Sequence, residues 1–277
     1  MFFGKSLCIA TKHKKEQVLA PLFKGLGFNV CVAKNIDTDI LGTFTGEVER
    51  IYTPQLTLKK KCELALQRTQ TDFVLSSEGS FGPHPSIPFL YANEEHLLFY
   101  NTIDFTEIYA RYIFTETNFN SQEIHSWEAL IEFCKQVKFP QHAVILKSTH
   151  TKQIQLVKGI TSYAQLKEAY QHLKHNSNVV IAETDMRAMH NPTRMHNIKQ
   201  LAKKLILKIQ STCPQCNLMG FDIVDSISGL PCKNCLNPTP TVLKHIKKCK
   251  GCNFMQETLP SHNLSYQDPM YCDFCNP

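Results

Sequence analysis

Cysteine spacing gives the clearest chemistry in this sequence. Eight of the twelve cysteines follow residue 212 and form four Cys-x-x-Cys pairs. Each pair can turn two thiolates toward one tetrahedral metal ion, so four pairs supply the ligands of two zinc ions. The predicted ligands are Cys213, Cys216, Cys232, Cys235, Cys249, Cys252, Cys272 and Cys275. Because cysteines fill all four positions on each ion, we expect the sites to be structural.

The order in which these pairs combine is a separate prediction. Fifteen residues separate the first pair from the second, and nineteen separate the third from the fourth. Sequential pairing closes the shorter loops and is favoured, which gives two zinc ribbons in tandem over residues 211–277. Interleaved pairing, with the first pair joining the third, is the open alternative.

A carboxylate follows a short apolar run in the first half of the chain. Phe73-Val74-Leu75 precedes Ser77, Glu78, Ser80 and His84, which stand among glycines and prolines. This pattern predicts a buried strand that delivers Glu78 to a loop, where α/β proteins place their sites. We expect Glu78 to be catalytic and the two serines and the histidine to contact substrate. A plain strand with a Gly/Pro turn is the alternative.

A lysine-rich loop lies between the first predicted strand and the first predicted helix. Thr11, Lys12 and Lys15 stand where backbone amides at a helix start can hold phosphate. Cations are unfavourable beside the positive end of a helix dipole, which favours a bound anion. The alternative is a solvated helix start.

Two further loops carry candidate ligands. Glu47, Glu49 and Arg50 stand in a glycine-containing loop, and carboxylates of this kind suit a Mg²⁺ ion that also holds substrate phosphates. Near residue 185, a strand ends in Glu183 and Asp185, whose side chains point the same way in an extended chain and could share a cation.

Two arginines follow that strand. Arg187 and Arg194 could hold phosphate or carboxylate in a bidentate manner. An ion-paired loop in which Asn191 caps the next helix is the alternative.

A family resemblance covers residues 6–85. The motifs in common are Ala10-Thr11 with Lys15, the Phe44 to Arg50 loop, the helix bearing Lys60, and Asp72-Phe73 with Ser77-Glu78-Gly79. Their order resembles that of the inosine/xanthosine triphosphate pyrophosphatase superfamily, and most closely its branch that hydrolyses non-standard purine nucleotides. The whole chain also looks like an uncharacterised bacterial family that joins such a segment to C-terminal zinc modules.

The resemblance implies a role for each matching residue. Thr11 and Lys15 would bind the triphosphate. Glu47 or Glu49, together with Glu78, would hold Mg²⁺ and activate water, and Arg50 would match the family's arginine. The implied reaction is Mg²⁺-dependent hydrolysis of a nucleoside triphosphate to monophosphate and pyrophosphate.

Strands and helices alternate through the first part of the chain. Strands near residues 7–10 and 28–32 flank a helix, and further strands are predicted at 96–100, 107–113, 143–147, 154–158 and 178–184. Alternating elements indicate an α/β fold with a mixed sheet. We therefore predict a nucleotide-pyrophosphatase-like body over residues 1–210 and a small tandem zinc-ribbon domain over residues 211–277.

Composition limits the environment and the partners. The net charge of +6 falls on the body, because five lysines balance five acidic residues after Ser211. No apolar run is long enough to span a bilayer and no signal peptide is evident, so we expect a cytoplasmic protein. A basic body suits a nucleotide or another phosphorylated small molecule as readily as a nucleic acid.

Two other functions stay open. The first is a non-catalytic nucleic-acid- or protein-binding module, in which Lys244–Lys250 and the zinc ribbons form the contact surface on a nucleotide-binding fold. The second is a nucleotide-dependent enzyme that acts on nucleic acid and uses both parts of the chain.

Overall fold

The computed structural model describes residues 2–34, 36–42, 48–148, 155–177 and 179–277. The chain divides into two units, Met1–Leu205 and Ile206–Pro277. The first unit contains two sheets with their helices, and the second contains a small sheet and all eight paired cysteines. Among the described residues, no helix combines the length and apolarity needed to cross a membrane.

The first sheet holds five strands in the order β2-β1-β3-β4-β5. Its elements are β1 (Ser6–Ala10), α1 (Glu16–Lys24), β2 (Asn29–Val32), α2 (Pro54–Leu66), β3 (Phe73–His84), β4 (Ile87–Asn101) and β5 (Glu107–Phe114). β1 runs parallel to both β2 and β3, whereas β3, β4 and β5 are antiparallel. The sheet is therefore mixed.

Apolar side chains cover both faces of this sheet. An aromatic cluster on one face includes Phe73 and Phe99, whose ring centroids lie 5.0 Å apart. On the other face, α2 packs Leu58, Cys62 and Ala65 against the buried strand residues. Thr53 caps α2, because its Oγ1 accepts a hydrogen bond from the backbone N–H of Leu56 at 3.3 Å.

The second sheet holds four antiparallel strands in the order β6-β9-β7-β8. Its strands are β6 (Ser121–Ile124), β7 (Val144–Ser148), β8 (Gln155–Ile160) and β9 (Val180–Thr184), and the remaining helices are α3 (Trp127–Gln136), α4 (Tyr163–Asn176) and α5 (Pro192–Gln210). Phe133 of α3 and Leu173 of α4 are buried in one core with Leu146 of β7. Ser126 and Ser162 cap α3 and α4.

β3 is longer than the sequence predicted, which changes the position of Glu78. The parallel pairing of β3 with β1 ends at Ala10↔Ser76, but its antiparallel pairing with β4 continues to His84↔Ile87. Glu78 therefore lies inside a strand and not in a loop after one. The prediction was wrong because β4 supplies backbone partners along the whole Gly- and Pro-containing stretch.

The second unit contains β10 (Asp222–Ser228), β11 (Val242–Lys248) and β12 (Met255–Thr258), paired antiparallel in that order. Because neighbouring strands run in opposite directions, successive connections lie at opposite ends of the sheet. The first and third cysteine pairs consequently flank one end of the β10–β11 hairpin, and the second and fourth pairs lie at the other end.

A cationic cleft and two four-cysteine groups

A cleft of about 280 Å³ lies where β1 ends beside β3. Two acidic residues, Asp39 and Glu78, contribute to its lining. Six lysines and arginines also line it: Lys12, Lys15, Arg50, Lys61, Lys158 and Arg187. Because these cations come from distant parts of the first unit, the fold concentrates positive charge that the sequence spreads over 176 positions.

Lys15 is the most deeply buried of these cations. Its residue surface is 6% exposed, and its Nζ lies 2.9 Å from Ser77 Oγ and 3.5 Å from Ser77 O. Burial lowers the pKa of Lys15 to about 7, and Arg194 and Lys61 act in the same direction against Glu95 and Glu78. A substantial fraction of this amine is therefore neutral near pH 7.

Glu78 is held by two cations. Lys61 Nζ forms an ion pair with Glu78 Oε2 and donates to Ser77 O at 3.0 Å, while Arg50 Nη2 lies 3.4 Å from Glu78 Oε1. Burial alone raises the pKa of Glu78, but the charges of Lys61, Arg50 and Lys15 outweigh it and lower that pKa to about 2. Glu78 is thus ionised and already paired, and it is a poor proton acceptor at neutral pH.

Arg194 is in an ion pair and not in the cleft, which corrects its predicted contact with substrate. Its Nε lies 2.7 Å from Glu95 Oε1, each side chain is 1% exposed, and Nη1 donates to Met186 O at 2.6 Å. Asn191 caps α5 by accepting from the backbone N–H of Arg194 at 2.9 Å. The cap fixes Arg194 in the first helical turn, on the buried side.

Asp185 and Glu183 have separate cationic partners, so their predicted sharing of one cation was wrong. Asp185 is fully buried, and its Oδ2 accepts from Arg187 Nη2 at 2.6 Å and from the N–H of Gly159 at 3.2 Å. Glu183 instead pairs with Lys147 of β7. Arg187 does reach the cleft, and Asp185 serves to orient it.

Ser80 lines a neighbouring cavity of about 320 Å³. Arg50 and Arg187 line both cavities, which are therefore adjacent. Phe81 and Phe119 also line this second cavity, and their rings stack at 5.8 Å.

The remaining predicted residues are distributed as follows. Thr11 and Lys12 line the cleft, and Lys12 Nζ lies 2.8 Å from Asp37 and 2.7 Å from Asp39. His84 lies at the far end of β3, about 20 Å along the strand from Glu78 and outside both cavities. Glu49 is exposed and lines neither cavity, and Glu47 lies outside the described residues.

The described residues do not fit the predicted Mg²⁺ site. The two carboxylates that line the cleft are each committed to cations, Glu78 to Lys61 and Arg50, and Asp39 to Lys12. Within the part of the chain that the structure describes, only the cysteine groups bring three or more potential metal ligands together. We therefore derive no chemical step through magnesium.

Two charged residues were missed in the sequence: Lys61, which lines the cleft, and Glu95, which pairs with Arg194 outside it. Lys61 stands three residues after Leu58 and four before Ala65, which places it on the buried stripe of α2. Glu95 alternates with Leu97 and Phe99 on one face of β4. A charged residue at a core position of a periodic pattern was the available signal in both cases.

The cysteines form two groups suited to zinc, but the predicted sequential pairing was wrong. Cys213 and Cys216 meet Cys249 and Cys252, and the second group is Cys232, Cys235, Cys272 and Cys275. Sulfur–sulfur distances between pairs are 3.5 and 3.6 Å in the first group and 3.6 and 3.8 Å in the second. Tetrahedral zinc with bonds of about 2.3 Å separates its sulfurs by about 3.8 Å.

Strand pairing explains this interleaving. Doubling the length of a loop changes its closure free energy by only about 0.6 kcal/mol, so the loop lengths used in the prediction discriminate weakly. The β10–β11–β12 sheet instead decides which cysteine pairs meet. Backbone N–H groups support the sulfurs: Gly251 donates to Cys249 Sγ at 3.3 Å, and Asn234 donates to Cys232 Sγ at 3.4 Å.

Fold and sites together define a mixed α/β protein with a cationic cleft and a C-terminal unit built on two four-cysteine groups. The chain belongs to the family described as Domain of unknown function (DUF6671), whose model matches residues 61–277. The match includes Lys61, Ser77, Glu78 and all eight ligand cysteines, and begins after Lys15. No curated protein and no solved structure matches the chain.

Proposed function

We propose that residues 1–205 bind a nucleoside triphosphate and hydrolyse it to monophosphate and pyrophosphate. The observation that carries this proposal is the cleft lining, in which six lysines and arginines face two carboxylates. Such an excess of positive charge in a concave site favours a polyanion. The loop with Lys15 and the strand with Ser77 and Glu78 both line this cleft, so the residues that carry the sequence resemblance to nucleotide pyrophosphatases lie beside the proposed phosphate site.

The two adjacent cavities support a nucleotide over a smaller anion. Phosphates would lie in the 280 Å³ cleft, and Arg50 and Arg187 would stand between them and the nucleoside. Phe81 and Phe119 line the neighbouring cavity, where a base would contact this aromatic pair. Aromatic faces accept any base, so this arrangement alone selects for a nucleotide and not for a particular one.

Charge stabilisation is the part of catalysis that the cleft can supply. Hydrolysis at phosphorus develops negative charge on phosphate oxygens and on the leaving group, and fixed cations stabilise that charge in the transition state. Lys61 and Arg50 are fixed by their contacts with Glu78 and with the carbonyls of Ser77 and Gly79. In this proposal Glu78 positions cations and is not the proton acceptor.

The experiment combines binding with turnover. Purified full-length protein is titrated calorimetrically with a panel of nucleoside triphosphates, and pyrophosphate release is measured with Mg²⁺, with Mn²⁺ and with a chelator. Lys158→Met removes one cation from the cleft, and we expect Kd to rise about tenfold or more. Lys199→Met, an exposed lysine on α5, is the matched control and should leave Kd unchanged.

Two results would count against the proposal. Absence of binding by every nucleotide would refute the cleft as a nucleotide site. Tight binding without pyrophosphate release would leave a nucleotide-binding module and exclude the hydrolase. Salt-dependent RNA or DNA binding that is lost on deleting residues 211–277, in a protein that binds no nucleotide, would favour the nucleic-acid-binding alternative.

A further inference from the structure

Ser77 and Lys15 form a hydrogen-bonded pair in the wall of the cleft. Lys15 Nζ lies 2.9 Å from Ser77 Oγ, and both residues contribute to the lining. From this geometry we propose that Ser77 is the nucleophile that attacks the substrate phosphorus and that Lys15 is the base that accepts its proton. The proposal rests on the proposed hydrolase function and adds a covalent intermediate to it.

A lysine can act as a base only when it is neutral, and the surroundings of Lys15 favour that state. Burial and the positive charges of Arg194 on α5 and Lys61 on α2 oppose protonation, whereas Glu95 on β4 and Glu78 on β3 favour it. The balance gives Lys15 a pKa of about 7, so the neutral amine is populated at physiological pH. Lys12 and His13 are the other titratable groups of the same loop that line the cleft.

The backbone places Ser77 where a nucleophile is needed. Ser76 is the last residue of β3 that pairs with β1, so Ser77 is the first beyond the edge of the parallel pairing. Lys61 Nζ donates to the carbonyl oxygen of Ser77 at 3.0 Å and fixes that peptide. Ser77 is thus anchored by two lysines, one at the backbone and one at the side chain.

Ser76, which precedes Ser77 on the same strand, has a hydroxyl with a structural role. Ser76 points to the opposite face, where its Oγ donates to the carbonyl of Leu58 at 2.9 Å. The hydroxyl of Ser76 satisfies a helix carbonyl, while that of Ser77 meets an amine beside a cavity. This difference makes Ser76 a matched control.

The reaction balances in two steps. In the first, Ser77 Oγ forms a bond to the α-phosphorus, the bond from that phosphorus to the bridging oxygen breaks, and pyrophosphate leaves while the serine proton moves to Lys15 Nζ. Lys15 then releases that proton to solvent. In the second, water attacks the phosphorus of the nucleotidyl-serine and the bond from that phosphorus to Ser77 Oγ breaks. Lys15 takes a proton from the water and returns it to Ser77 Oγ, and the monophosphate leaves.

A trapping experiment tests the covalent step directly. Full-length protein is mixed with nucleoside triphosphate labelled on the α-phosphate, quenched in acid within milliseconds and digested for mass spectrometry. We expect a nucleotidyl group on the peptide that contains Ser77, and none in Ser77→Ala. Turnover of Ser77→Ala should fall by at least about a hundredfold, whereas Ser76→Ala should stay within about threefold of wild type.

The role of Lys15 has its own readout. Wild-type kcat/KM should rise with pH through about 7 as the amine becomes neutral. Lys15→Arg carries a positive charge at every pH tested and cannot act as a base, so it should lose activity and this pH dependence while still binding nucleotide. Circular dichroism and nucleotide titration of each variant separate misfolding from loss of chemistry.

The outcomes distinguish this inference from the proposed function. A wild-type protein that neither binds nor hydrolyses any nucleotide would overturn both. A wild-type protein that releases pyrophosphate, with Ser77→Ala equally active and no label on Ser77, would overturn the covalent step and leave the hydrolase intact. Label on a residue other than Ser77 would refute the assignment of the nucleophile.

Discussion

Replacing Lys15 by methionine should stabilise the protein, and the gain should depend on pH. The pKa of Lys15 falls from 10.5 to about 7 on folding. Between these values the unfolded chain binds a proton that the folded chain has lost, so the free energy of unfolding rises with pH by up to about 1.4 kcal/mol per pH unit. Below pH 7 the loss of stability caused by this pKa shift is fully present, and it disappears as the pH approaches 10.5.

The magnitude follows from these two pKa values. Burial of the amine lowers stability by about 4 kcal/mol at pH 7 and about 2 kcal/mol at pH 9. Methionine has a similar length and no charge, and it forgoes the hydrogen bond with Ser77, which stabilises by about 1 kcal/mol. We therefore expect the free energy of unfolding of Lys15→Met to exceed that of wild type by about 3 kcal/mol at pH 7 and by about 1 kcal/mol at pH 9.

Urea denaturation of both proteins at pH 7, 8 and 9 tests this expectation. The quantity of interest is the difference between variant and wild type, because other titrating groups cancel in it. Lys199→Met removes a lysine from an exposed position of α5 and controls for loss of a cation without burial. A destabilised Lys15→Met variant, or a difference that does not shrink from pH 7 to pH 9, would refute the buried neutral amine.

Three further predictions concern packing and metal binding. Gly79→Ala should destabilise the first unit by about 3 kcal/mol or more, because the added Cβ would lie 2.5 Å from both Arg194 Nη2 and Glu95 Oε1. Urea denaturation at pH 7 measures this, and an unchanged free energy of unfolding would contradict the ion pair between Arg194 and Glu95. Leu236→Asn should raise stability by about 1 kcal/mol, because Leu236 has a backbone φ of +62°. Asn217 and Asn253, which also follow the second cysteine of a pair, have φ of +59° and +60°. An unchanged midpoint of thermal unfolding would argue against backbone strain at Leu236. In metal analysis, Cys213→Ser with Cys249→Ser should lose one zinc per chain, whereas Cys213→Ser with Cys232→Ser should lose both; the reverse result would restore sequential pairing.

Local patterns in the sequence were sufficient for most of the helices and strands. Ser126 and Ser162 begin α3 and α4 because each is an N-cap residue before an apolar periodic run. The Cys-x-x-Cys spacing was likewise sufficient to identify all eight cysteines of the two groups. These features depend on neighbours within a few residues, so the local sequence is enough to predict them.

Features that depend on strand pairing could not be read in the same way. The length of β3 is set by β4, and the grouping of the cysteines is set by the register of β10, β11 and β12. Arg194 was predicted to bind phosphate because no partner for it stands nearby in the sequence; Glu95, with which it pairs, is 99 residues away in the chain. Ion pairs between distant elements are invisible until the sheet order is known.

The candidate site was predicted in part. Lys15, Arg50, Ser77, Glu78 and Arg187 were named from the sequence, and the fold brings all five to one cleft. Glu78 was expected to act as a catalytic carboxylate, because the sequence did not reveal that it would form ion pairs with Lys61 and Arg50. Burial of Lys15 against Ser77 likewise required the packed structure.

A crystal structure of the full chain with a non-hydrolysable nucleoside triphosphate analogue tests the central claim most directly. The account predicts phosphate density in the cleft, within hydrogen-bonding distance of Arg50 and Arg187, with the α-phosphorus next to Ser77 Oγ. Density for the phosphates elsewhere on the protein, or an unliganded cleft at a concentration that saturates binding in solution, would contradict it.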